Sequence, residues 1–176
     1  SQVQSLVSNQ IAKLVPSQLN SLSSGQVKAL DAEDLNALNT ALVTNLTTGF
    51  VGELSTTQLS GLKSSTLGAL SSAGMAALTT SSVRAISSGE IAGLTSAQVG
   101  AMSTAQVAAL TSAQLSGLGP EEALGLRSTQ LSALSTEGIR AIATGAFEVL
   151  TTAALRGLSA AQFGALKTDQ LVALST

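Results

Sequence analysis

The chain contains no cysteine, histidine, tryptophan or tyrosine. That removes disulfides and thiol chemistry, the commonest general base and the usual zinc ligands. Charge is also scarce. Ten acidic and eight basic residues leave a net charge of −2, and the basic residues are scattered rather than gathered in a stripe. Nucleic acid is therefore not an expected partner. No run approaches the roughly 18 uninterrupted apolar residues of a membrane span, so no span is expected. Residues 1–15 lack the charged start and apolar middle of a secretion signal. Absence of cysteine suits an extracellular protein and a cytosolic one alike.

The aromatic content is three phenylalanines, yet 44% of the residues are apolar. With so little net charge, this is not the composition of a disordered tail. Nearly everything is Leu, Val, Ala, Ser, Thr, Gly or Gln, so a core must be assembled from small aliphatic side chains in a regular array. That is the composition of a repeat protein.

The period is eight. Stepping by eight from Leu6 meets Leu, Ile or Met at all 22 positions as far as Leu174. A second apolar column runs three residues earlier, from Val3 to Leu171, and only Ala123 in it is small. The stretch Leu94–Leu118, LTSAQVGAMSTAQVAALTSAQLSGL, holds three nearly identical copies. With the first column named slot eight and the second slot five, the consensus has Ser or Thr in slots one and two, Gln in slot four, Val or Leu in slot five, Ala or Gly in slot seven and Leu in slot eight.

One continuous helix does not fit. At about 100° per residue, eight residues leave about 80° of drift, and the apolar stripe would wind into water. A simple strand would send slots five and eight to opposite faces. A helix that stops and restarts in every octapeptide resolves the conflict. Slot one is Ser, Thr, Asp or Asn in 15 repeats and slot four is Gln, Glu or Asp in 14, which together form a capping box. Pro16 and Pro120, the only prolines, both fall in slot two. That is the first helical position, where the missing N–H costs nothing. Slot two is Ser or Thr even more often than slot one, in 18 repeats, which leaves some caps there as a competing register.

Helices of under two turns do not persist alone. The expected fold is therefore all-α: a solenoid or superhelix of very short capped helices, one per octapeptide. Slots five and eight would face its axis, and small slot-seven residues would let backbones approach. A β-solenoid is the alternative. Residues 1–176 form one array of about 22 octapeptides, and their start and finish within repeats point to a segment of a longer array. With two repeats per coil, eleven coils at 8–10 Å spacing would make a rod of roughly 100 Å.

The departures from the repeat are few. Asp31, Glu33 and Asp34 lack the EF-hand pattern and read as a helix start. In GPEEALGL, Gly119–Leu126, Ala123 takes slot five and Leu124 slot six, which predicts a locally rotated or kinked helix. Phe50 in slot four reads as core, as do Phe147 and Phe163 in slot five. Arg84, Arg140 and Arg156 share slot six and read as a solvated surface row. No catalytic, cofactor-binding or metal-ligating residue is assigned, and no cofactor is expected. Serine without a base is a cap rather than a nucleophile.

Phrases such as LTSAQVGAMSTAQVAALTSAQLSGL and LKTDQLVALST resemble the octapeptide arrays of very large repetitive bacterial surface or secreted proteins, some of adhesin or haem-utilisation type. The resemblance spans essentially the whole chain. It implies an extracellular or cell-surface location and a non-enzymatic stalk or spacer, with neighbouring repeats of the parent protein as partners and end-to-end self-association possible. It places no haem ligand here, since Met75 and Met102 occupy core slots. The alternatives are a binding module whose exposed Ser/Thr rows meet a glycan, a protein or ice, and rows that are themselves glycan acceptors.

Overall fold

The computed structural model describes residues 8–174, so the first members of the two apolar columns, Val3 and Leu6, lie outside the described residues. Among the described residues there are twenty-one helices of four to six residues, from α1 (Ser8–Ile11) to α21 (Thr168–Ala173), and no strand. One helix falls in each octapeptide, which excludes the β-solenoid there.

Local chemistry sets both ends of each helix. From α2 (Pro16–Asn20) onward the N-cap is always the slot-one residue, with an extended backbone. Slot two never takes that role, and Pro16 and Pro120 stand in the first turn of their helices. The Ser103 hydroxyl accepts from the Gln106 N–H at 3.1 Å while Gln106 Oε1 accepts from the Ser103 N–H at 2.7 Å. Such a pair satisfies two of the four N–H groups that a helix start leaves open. At the other end the slot-eight N–H donates to the slot-five carbonyl, as from Leu110 to Val107 at 3.1 Å. Slot eight then turns extended, with ψ of 140° at Leu70 and 136° at Leu110. Two extended residues, slots eight and one, thus make each corner. No described residue has positive φ, so these helices end without the left-handed glycine cap.

Every principal helix pair lies three helices apart. Thus α4 (Ala32–Ala37) packs on α1 and on α7 (Thr56–Ser60), and α5 (Thr40–Thr44) packs on α8 (Ser64–Ala69). Three repeats, not two, complete a coil. Twenty-one helices make seven coils, roughly 55–70 Å long at 8–10 Å spacing, shorter than the two-per-coil rod would be. Eight-residue periodicity specifies the helix but not the turn at the corner, and the corner angle decides how many sides a coil has.

Slot five is buried without exception from Ile11 to Phe147, and slot eight from Leu30 to Leu150. Each such side chain removed from water is worth about 1.5–3 kcal/mol, which is what holds helices too short to stand alone. Slot-five side chains are covered by the coil that follows. The Val51 methyls lie beneath Gly74, and Leu115 Cδ1 lies beneath Gly138. Phe163, read from the sequence as core, is instead 53% exposed, and Leu171 is 41% exposed. Both sit in the last described coil, α19–α21, and so lack the covering contact that the following coil gives the same slot elsewhere.

Slot seven faces slot two of the coil before. A Cβ on Gly125 would stand 2.0 Å from the Ser96 carbonyl oxygen, and one on Gly157 would stand 2.0 Å from that of Ser128. Real Cβ atoms never approach a carbonyl so closely, so glycine at these two positions serves close approach of backbones rather than any unusual dihedral.

Candidate functional site

The polar atoms capable of specific chemistry fall into three groups: the slot-four amides, the charged departures from the repeat, and the grooves between coils.

The slot-four glutamines do more than close capping boxes. Gln114 Nε2 donates to the carbonyls of Val83 at 2.8 Å and Ile86 at 2.7 Å, while its Oε1 accepts from the Thr111 N–H at 2.9 Å. Val83 and Ile86 are the slot-five and slot-eight residues at a corner of the preceding coil, 31 and 28 residues earlier. Gln58, Gln98, Gln106, Gln130, Gln162 and Gln170 bond the equivalent carbonyls in the same way. All seven are at most 4% exposed. The amide orientation follows from its surroundings, one N–H on one side and two carbonyls on the other. A capping box by itself does not require this second pair of bonds. The available signal was the choice of Gln in 11 repeats against Glu in two. The helix dipole alone would favour the acid in a first turn, so the preference for an amide marks the need for a donor.

The acidic trio resolves as the sequence suggested. Asp31 Oδ1 accepts from the Asp34 N–H at 2.8 Å, and Asp34 Oδ2 accepts from the Asp31 N–H at 3.2 Å, capping α4. Among the described residues no three or more acidic side chains converge as a metal site would require. Phe50, Phe147, Met75 and Met102 are core, each at most 4% exposed.

Two expectations are corrected. In GPEEALGL the helix does not rotate: α15 (Pro120–Ala123) keeps Ala123 fully buried and leaves Leu124 52% exposed. The packing of α15 on α12 (Ser96–Ala101) and α18 (Thr144–Glu148) holds the register, and one apolar residue in slot six cannot overturn it. The three slot-six arginines do not form one row. Arg84 in α10 (Thr80–Ala85) and Arg156 beside α19 (Thr152–Leu155) share a side, but Arg140 in α17 (Thr136–Ala141) lies on another. Arg140 is exposed, as the sequence suggested, and its Nη1 donates to the Ala165 carbonyl at 3.2 Å.

Elsewhere, Lys28 pairs with Glu53 at 3.0 Å. The Ser24 hydroxyl donates to the same carboxylate. The Ser24 hydrogen bond, followed by the bond and charge of Lys28, holds Glu53 below its ordinary pKa.

Grooves open between coils. One of about 510 Å³ crosses the corner at Leu124–Ser128, between α12 and α19, and continues into another of about 420 Å³ between α16 (Ser128–Ala133) and α19. Arg127 and Arg156 line them, with no acidic residue. A third, at the α4 corner, mixes Lys28 with Asp31 and Glu33.

The family model of the ALTTAQ repeat matches the chain twice, over residues 83–120 and 139–176. A repeat protein is what that similarity shows. A comparison with curated proteins gives no match.

Proposed function

We propose that this chain is a stiff, non-enzymatic spacer within a larger extracellular or cell-surface repeat protein, where it holds whatever is attached to it at a set distance. What carries the reading is the unbroken stack of coils, tied one to the next by side-chain amides, buried ones such as Gln98, Gln106 and Gln114 and half-buried ones such as Asn20 and Asn36. A coil of three octapeptides presents the same two core columns wherever it stands, so length scales with copy number. The slot-one hydroxyls are spent as caps, as at Ser103 and Thr111, which leaves them no role as nucleophiles. Exposed Phe163 and Leu171 suit contact with a further coil, supplied by neighbouring repeats of the parent protein or by a second copy end to end. The alternative, a binding module, draws on exposed slot-two hydroxyls such as those of Thr104 and Ser112.

Small-angle scattering tests the spacer directly. Inserting one coil's worth of consensus sequence, three octapeptides, is expected to lengthen the particle by about 8–10 Å at constant cross-section. Fused between a bacterial surface anchor and an epitope, the longer array should improve antibody access to the epitope. A particle that grows in all directions, or bends at the insertion, would refute a spacer.

A further inference from the structure

We infer that the continuous groove holding Arg127 and Arg156 is a binding site for an anionic polysaccharide. This goes beyond the spacer reading, which needs no ligand. Three residues that break the repeat, Leu124, Arg127 and Arg156, are separated in sequence but meet along one groove crossing three coils. Arg127 replaces a capping hydroxyl in slot one, and its guanidinium has no hydrogen-bond or ion-pair partner among the described residues. Arg156 has none either, and both side chains are exposed. The two lie in adjacent coils, Arg127 at the start of α16 and Arg156 at the end of α19, two helices packed on one another. No acidic side chain lines either part of the groove, whereas at the α4 corner Asp31 and Glu33 offset Lys28.

The rest of the lining favours a saccharide over a peptide. Hydroxyls of Ser96, Ser128, Thr129 and Thr151 offer donors and acceptors, and Leu124 and Ala153 supply small apolar patches suited to sugar C–H faces. An acidic peptide would want a strand edge or a deep apolar cleft. Among the described residues there is no strand, and Leu124 is the one large exposed apolar side chain in the groove. Carboxylated and sulfated saccharides share the needed chemistry, since guanidinium groups bond either anion through paired N–H donors.

Calorimetric titration of the whole chain decides it, with four probes: oligogalacturonate, sulfated dextran oligosaccharide, neutral dextran oligosaccharide and polyglutamate. One or both anionic saccharides should bind, more weakly as salt is raised, and the neutral one should not. Whichever binds identifies the anion as carboxylate or sulfate. Replacing both arginines, Arg127→Gln with Arg156→Gln, should weaken binding about tenfold or more, the scale of one lost charge-assisted bond. Arg84→Gln, outside the groove, should change nothing. Neither arginine side chain has a hydrogen-bond or ion-pair partner among the described residues, and unchanged circular dichroism checks that the variant remains folded. The inference is overturned if neither anionic saccharide binds, if the double variant binds as well as the parent chain, or if polyglutamate binds as tightly. A failed titration leaves scattering from the rod untouched, so the two readings fail separately.

Discussion

Residues 15–54 and residues 95–134 share one repeat and one kind of core, yet coil is tied to coil by different side chains in each. In the later stretch slot four holds Gln98, Gln106, Gln114 and Gln130, each bonded to two corner carbonyls of the coil before. In the earlier stretch that slot includes buried Leu42 and Phe50, which have nothing to donate. The ties there come from slot six. Asn20 Nδ2 donates to the Asn45 carbonyl at 2.9 Å and its Oδ1 accepts from the Thr47 N–H at 2.8 Å. Asn36 repeats the clamp on Gly61 and Lys63. Slot seven differs as well: the later coils place Gly117 and Gly125 against backbone of the coil before, while Glu53 reaches back to the side chains of Ser24 and Lys28 there. Helices this short leave most of their end groups unpaired. A primary amide, carrying both donor and acceptor, closes the gap from either of two slots.

The sharpest break is Gln114→Glu, which would turn a carboxylate oxygen toward the Val83 and Ile86 carbonyls, now 2.8 and 2.7 Å from an amide nitrogen. Two buried hydrogen bonds are lost and a repulsion replaces them. A destabilisation of about 3–5 kcal/mol is expected in urea unfolding at neutral pH. Gly125→Ala should cost about 3 kcal/mol, because the Ser96 backbone must retreat from the new Cβ. In the earlier region Gly25→Ala meets nothing within 4 Å, and it should stabilise by about 0.5–1 kcal/mol through reduced backbone entropy.

Smaller effects test whether the two kinds of tie are equivalent. Asn36→Ala removes bonds to Gly61, Lys63 and Thr66. The site is only half-buried, so water can take the amide's place and thermal denaturation should show a loss of about 1 kcal/mol. Glu122→Gln should raise stability by about 1 kcal/mol. Glu122 accepts from the Gly119 N–H at 2.9 Å but offers no amide donor, and the new Nε2 would stand where its counterparts reach the corner carbonyls, here of Ile91 and Leu94. The smallest effect is at Glu53, whose folded pKa lies below the ordinary 4.5. Its contribution is therefore present above the unfolded value and lost as pH falls through the folded one. Ser24→Ala should move the carboxyl titration upward in an NMR pH series, with little change in overall stability because the group is exposed.

Much of this was legible beforehand because it is local. Slot one as the cap, Pro16 and Pro120 in the first turn, and the acidic pair Asp31 and Asp34 closing on each other all involve atoms within one octapeptide. The second role of glutamine is half-visible in the sequence: the amide and its return bond to the slot-one N–H lie within one octapeptide, but the two carbonyls that accept from its Nε2 belong to the previous coil. Phe163 went wrong for a related reason. Its slot is right, but burial of that slot requires the coil that follows.

The sequence by itself determined the register, one capped helix in each eight residues and the two columns that form the core, because capping and periodicity are short-range physics. Tertiary structure alone decided that three helices make a coil, which carbonyls the glutamines reach 28 and 31 residues away, and that Arg127 and Arg156 line one groove. Those outcomes depend on the angle taken at every two-residue corner. That angle is set by how slots five, seven and eight pack against the neighbouring coil, and no preference within a single octapeptide encodes it.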